Sequence, residues 1–295
     1  GTVRVRLVEP REPASRPAAG SSCGASSVRP PAVPAVASGP HIGAGSLSLA
    51  PPRVSYSALS LYEGCPYRFY LTNIVRMPEA PSSGAEGVFA LGSALHAALE
   101  RLTSPDEDPA PLIERAAAAA GLSGALVPRL ERAVAGYLAL PVAAEVFACE
   151  RVGREVPITV PVGGTVLVGA VDLVARTSAG DMLIVDYKTG ADGLELGVAE
   201  DRYRLQGRCY ALAALWAGAP AVRVVFAEVE RARQIEFVYS VEDRAALERS
   251  IAEPVNRMSA GAYEPRAAYE RALCESCPGF GGMCPVTPTR SDAAE

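Results

Sequence analysis

Hydrophobic positions fall into distinct rhythms along this chain. The segment SYSALSLYEGCPYRFYLTNI opens at Ser55, in N-cap position, and carries Leu59, Tyr62, Phe69 and Tyr70 at roughly helical spacing. GVFALGSALHAALERL repeats Leu91, Leu95, Leu99 and Leu102, the stripe of an amphipathic helix, and an Ala-rich helical region follows from about 110 to 148. The period then shortens. EVPITVPV, TVLVGAVDLVAR and DMLIVDYKT alternate or run β-branched, as strands do. RYRLQGRCYALAALWAG returns to a helix, AVRVVFAEVE and RQIEFVYSV read as strands, and VEDRAALERSIAEPVNRMSAG closes with a long helix. Helix, three strands, helix, two strands, helix predicts an α/β fold with a central mixed sheet flanked by helices.

Ahead of this unit the pattern fades. Residues 1–50 are mostly Pro, Ala, Ser and Gly, too poor in large apolar groups to offset ordering entropy, and are expected to be a disordered linker. The opening TVRVRLVEP alternates like a short strand belonging to whatever precedes it. The folded domain is expected over 51–290, with a tail at 291–295.

Composition narrows the setting. With 49% hydrophobic and 21% charged residues in 295, the chain has material for a real core. No apolar run approaches the ~20 residues of a membrane helix and no signal segment opens the chain. The expectation is a bacterial cytoplasmic protein with no membrane partner. The first residue is Gly, as in a processed chain or a piece of a longer polypeptide. A net charge of -5 gives no global pull toward nucleic acid, so any such surface must be local.

Lysine is nearly absent: of 28 basic side chains only Lys188 is not arginine. A site that needs a compact ammonium rather than a planar guanidinium would retain it. A hairpin turning at 177–181 and centred on Ala179 sets Asp172 opposite Asp186. The strand period puts Ile184, Asp186 and Lys188 on one face, with Val185 and Tyr187 on the other. Two such carboxylates repel unless one is protonated or a cation lies between them, and oxygen ligands suit Mg²⁺ or Mn²⁺. A surface salt-bridge cluster would use the same trio.

GAVDLVAR followed by MLIVDYKTG resembles the core of the PD-(D/E)xK nuclease superfamily, with Asp172 at its first acidic position and Asp186, Tyr187 and Lys188 at D-x-K. The RecB-type branch adds a G-x-x-x-H helix, here Gly92 to His96, and a Q-x-x-x-Y helix, here Gln206 to Tyr210. The resemblance implies a restriction-endonuclease-like core. It implies that Asp172, Asp186, His96 and the main-chain carbonyl of Tyr187 bind Mg²⁺ or Mn²⁺. Lys188 would be catalytic, with Gln206 and Tyr210 near the site and the DNA backbone. Arg202, Arg204 and Arg208 could supply local positive charge, and Glu155 is either an accessory acid or a strand-edge charge.

Three of the seven cysteines form C-x₂-C-x₆-C: Cys274, Cys277 and Cys284. One more soft ligand would close a zinc or iron-sulfur site, and Cys65 is the candidate. Resemblance to AddB-type nuclease domains implies a [4Fe-4S] cluster on these four, tying the domain's N- and C-terminal segments together. Cys23, Cys149 and Cys209 are left as ordinary thiols. The function implied is a metal-dependent DNA exonuclease acting on single-stranded ends in double-strand-break repair and recombination. Its partner would be a UvrD/RecB-like helicase, in the same chain or as a subunit. Alternatives are a free-standing exonuclease of the CRISPR-adaptation kind or a DNA-binding module that does not cut.

Overall fold

In a computed structural model, the structure describes residues 4–8, 51–79, 85–177, 180–190, 196–286 and 288. Its centre is a seven-stranded sheet of β1 (Arg4–Val8), β2 (Arg53–Ser55), β3 (Glu150–Val162), β4 (Thr165–Arg176), β5 (Met182–Lys188), β6 (Ala221–Glu228) and β7 (Arg233–Ser240). The order is β1-β7-β6-β5-β4-β2, and β3 lies antiparallel along the whole of β4. With β3 filling one edge of β4, its other edge is shared. β2 pairs with Val166 to Val168 and β5 with Leu173 to Arg176. Residues 169–172 have no strand partner on that edge, and this gap opens beside the end of β5.

Helices cover both faces. On one side α1 (Tyr56–Gly64), α7 (Leu196–Trp216) and α8 (Arg244–Ser259) enclose a core that includes Tyr62, Ile184, Phe226, Phe237 and Ile251. On the other, α3 (Ala85–Arg101), α4 (Ala110–Ala119), α5 (Leu126–Leu138) and α6 (Pro141–Ala148) enclose Leu91, Leu95, Leu99, Val185 and Val225. The leucine stripe predicted for α3 is its buried face, each leucine contributing about 2 kcal/mol. Ser55 caps α1, accepting from Ala58 N at 3.1 Å. The Ala-rich region is broken by Gly121 and Gly124, both at positive φ, and by Pro141 at the start of α6. Two short helices, α2 (Pro66–Phe69) and α9 (Arg271–Cys274), carry the cysteine-bearing segments.

The first strand differs from expectation. Residues 4–8 pair antiparallel with β7, Arg4 opposite Val238 through Val8 opposite Gln234, so they belong to this sheet. The free edge of β7 offers a row of backbone partners that an alternating segment can take. The rest of the expected linker lies outside the described residues. No helix among the described residues is long and apolar enough to cross a membrane.

Candidate active site

The alternation of β5 divides its side chains between the two cores: Ile184 packs toward α7, Leu183, Val185 and Tyr187 toward α3 to α6. Asp186 therefore faces α7 and is only 3% exposed. A buried carboxylate must be paired and hydrogen-bonded, and α7 supplies the groups. Gln206 Nε2 donates to Asp186 Oδ1 at 2.8 Å, and Lys188 Nζ lies 2.6 Å from Asp186 Oδ2. Tyr210 Oη is 2.8 Å from Asp186 Oδ1 and 3.1 Å from the Ala170 carbonyl, both acceptors, so its one proton serves one at a time. Gln206 Nε2 also lies 2.8 Å from Tyr210 Oη, leaving Gln206 Oε1 buried without a partner among the described residues.

Asp172 sits where β4 changes sides, for Val171 belongs to the α7-side core and Leu173 to the other. The β4–β5 ladder ends at Leu173 opposite Val185, so the next step would set Asp172 opposite Asp186, in the predicted register. There the Asp172 side chain replaces a backbone partner: Tyr187 N donates to its Oδ2 at 2.7 Å. Tyr187 thus meets Asp172 through its N–H, and the carbonyl to which the resemblance assigns metal binding belongs to the same residue. The Tyr187 ring packs edge-to-face on His96 and Tyr137, with centroids 5.7 and 5.0 Å apart.

His96 enters from α3 with Nδ1 3.6 Å from Asp172 Oδ1 and 3.4 Å from Glu155 Oε1. Glu155 has φ 48°, left-handed for a non-glycine residue, between two β3–β4 pairs that keep register on either side. The sequence had left Glu155 undecided, and the structure puts it in the cluster. One ligand atom from each of His96, Glu155 and Asp172 lies within 4.8 Å of the others, the only such group among the described residues. Burial, then the neighbouring Asp186 carboxylate, push Asp172 up to about 7, countered in part by His96 and the Tyr187 N–H. One imidazole nitrogen and two carboxylates suit a hard or borderline divalent cation.

The arginines divide. Arg202 precedes Gln206 by four residues and shares its helix face, and it is exposed. Arg204 and Arg208 lie two residues from Gln206, about 200° round the helix. Arg204 pairs instead with Glu200 and with Asp201 within α7. Two neighbours escaped the sequence reading: Tyr56, at the start of α1, whose hydroxyl burial pushes up while Lys188 pulls it down, and Tyr203, one turn before Gln206. The turn after Lys188 is fixed by Gly190 N, which donates to Glu230 Oε2 at 2.7 Å, with Arg129 holding that carboxylate.

The cysteine-bearing ends of the domain do meet. Arg68 Nη1 donates to the Leu273 carbonyl at 2.7 Å and Nη2 to Ser276 Oγ at 2.9 Å, while Glu79 takes the rest of the guanidinium. Burial pushes the Cys277 thiol up, with Cys65 and Cys284 adding to the effect. No three cysteine sulfurs among the described residues gather within 4.8 Å. Four thiols are the donor chemistry of either a tetrahedral zinc ion or an iron-sulfur cluster. Cys209 is fully buried, its thiol pushed up to about 12 by burial, Cys149 is half-buried, and Cys23 lies outside the described residues.

A family model for the PD-(D/E)XK nuclease superfamily matches residues 53–285. Among solved structures, the crystal structure of a candidate exonuclease from Eubacterium rectale superposes with a TM-score of 0.50 at 13% identity, covering 82% of this chain and 92% of that one. The structure of SSO0001 aligns at 17% identity over 81% of this chain and 88% of its own, with a TM-score of 0.37. A search of curated proteins finds no match.

Proposed function

From the premise that this chain belongs to the PD-(D/E)XK nuclease superfamily, we propose that it is a Mg²⁺- or Mn²⁺-dependent deoxyribonuclease acting at single-stranded ends. The observation that carries this reading is the cluster of His96, Glu155 and Asp172, one strand step from the Asp186–Lys188 pair. His96, Glu155 and Asp172 would hold the cation, with Asp186 beside them. When bound, such an ion supplies Lewis-acid stabilisation of phosphate charge. The Lys188 ammonium is ion-paired with Asp186 Oδ2 and is partly exposed, so it is placed to meet a phosphate oxygen. Gln206 and Tyr210 hold Asp186 in place and keep water from its Oδ1. The exonuclease description of the E. rectale protein agrees with action at ends.

The decisive test compares end-labelled single strands, blunt duplex and covalently closed circles, each with Mg²⁺, Mn²⁺ or EDTA. Cutting should need the metal, favour single-stranded ends and vanish in Lys188→Ala. Equal cutting in EDTA, or full activity of Lys188→Ala, overturns the reading.

Two finer elements belong to the same proposal. A [4Fe-4S] cluster on Cys65, Cys274, Cys277 and Cys284 is supported by the adjacency of the two cysteine-bearing segments through Arg68. Anaerobically purified protein should then be brown with iron and sulfide, and Cys277→Ala colourless; stoichiometric zinc instead would keep the clip and remove the cluster. Work beside a UvrD/RecB-like motor in double-strand-break processing rests on the ordered His96, Asp172, D-x-K and Q-x-x-x-Y set. The full open reading frame tests it.

A further inference from the structure

One stripe of α7 serves more than the carboxylate. Tyr203, Gln206 and Tyr210 follow one another at three- and four-residue steps, so all three face the sheet. Gln206 and Tyr210 hold Asp186, and Tyr203 lies beneath the neighbouring side chain. Lys188 Nζ stands 5.8 Å from the Tyr203 ring centroid and 5.6 Å from that of Phe226, and the two rings are stacked at 4.8 Å and 14°. Phe226 and Glu228 on β6 are the register partners of Asp186 and Lys188. Tyr203 is itself fastened, because its hydroxyl donates at 3.0 Å to Glu228 Oε1, and Glu228, fully buried, is paired with Arg233.

We propose that Tyr203, backed by Phe226 and locked by Glu228, is the positioning residue of the candidate catalytic lysine: its ring face fixes the Lys188 ammonium beside Asp186. A cation within ~6 Å of an aromatic face is attracted by the ring quadrupole, more so when partly desolvated. Lys188 is partly exposed, with Asp186 on one side and the two rings on another. The rings give the ammonium a fixed place without consuming the donors that substrate needs. Only the effect on catalysis rests on the nuclease reading; the seat itself does not.

The single lysine makes the seat directly visible. Protein labelled with ¹³Cε-lysine gives one Lys Hε resonance, expected upfield of free lysine by ring currents and showing NOEs to Tyr203 and Phe226 ring protons. These are read on the wild type and need no activity. In Tyr203→Leu the upfield shift should shrink, and in Tyr203→Phe it should persist. For cutting, Tyr203→Leu should lower kcat by about 2- to 30-fold, the span of a cation–π contact, with KM for DNA nearly unchanged, and Tyr203→Phe should keep most of kcat. A wild-type lysine resonance at the free position without aromatic NOEs overturns the seat, whatever the activity. So does an unchanged kcat in Tyr203→Leu of a wild type that cuts. A shifted resonance in a protein that cuts nothing would instead sustain the seat and refute the nuclease reading.

Discussion

Metal binding at this site should be a competition with one proton. Asp172 is held near pKa 7, chiefly by burial and then by Asp186, so its carboxyl must lose a proton before it ligates a cation. The deprotonated fraction is about nine-tenths at pH 8 and about one-tenth at pH 6 for such a group, so apparent Mn²⁺ affinity should fall about tenfold across that interval. The sign for stability follows from the same displacement. A carboxyl raised from an ordinary 3.8 contributes stability that is fully present below that value and is lost as pH rises through 7. About three pH units at about 1.36 kcal/mol each give roughly 4 kcal/mol for the metal-free protein, a ceiling that relaxation around His96 and Lys188 will reduce. Asp172→Asn removes the titration. Its urea midpoint should decline less between pH 4.5 and pH 8 than that of the wild type, and it should exceed the wild type at pH 8 until Mn²⁺ is added. Calorimetric Mn²⁺ titrations at pH 6 and 8, in two buffers of different ionisation enthalpy, also count the proton released. Equal affinity at both pH values with no proton release would refute this reasoning, as would coincident stability profiles for wild type and Asp172→Asn.

Three other outcomes are expected. Lys188→Arg should lose cutting by about 100-fold or more in a single-turnover assay, since one point charge cannot be replaced by a planar fork. Arg202→Ala should weaken single-strand binding and lower the salt slope of log K by about 0.7, while Arg204→Ala, already paired within its helix, should leave both unchanged in anisotropy titrations. Arg68→Ala should cost about 3 kcal/mol in urea unfolding and expose residues 271–286 to protease, because it leaves the Leu273 carbonyl and Ser276 hydroxyl without their buried donor.

Much of the hairpin was legible because two local rules agree. Alternation fixed which face each residue takes, and a polar loop closed by Thr177 N donating to the Asp181 carbonyl at 2.9 Å fixed the register. Glu155 was not legible, since its place depends on a left-handed φ that a charged residue in a strand does not announce. The pairing of residues 4–8 was hidden for another reason: an edge strand's partner is remote in sequence, and alternation tells its face but not its neighbour. The arginines carried a signal that helical arithmetic could extract, because 100° per residue already separates Arg204 and Arg208 from Gln206. The same arithmetic places Tyr203 on the Gln206 stripe, although nothing local says which sheet residue it would meet.

The solitary lysine gains a physical reason from these contacts. Gln206 and Tyr210 occupy Asp186 Oδ1, so only Oδ2 remains for a cation from the protein. An ammonium lies 2.6 Å from that oxygen as an ion pair, and 5.8 and 5.6 Å from the Tyr203 and Phe226 ring centroids. A guanidinium in the same place would stack its plane on Tyr203 or turn its fork to the carboxylate. Either pose spends its donors inside the protein and leaves fewer for a phosphate. In a chain where every other basic residue is arginine, the position that must hold one charge in a small seat while keeping donors free is the one where arginine is the poorer residue.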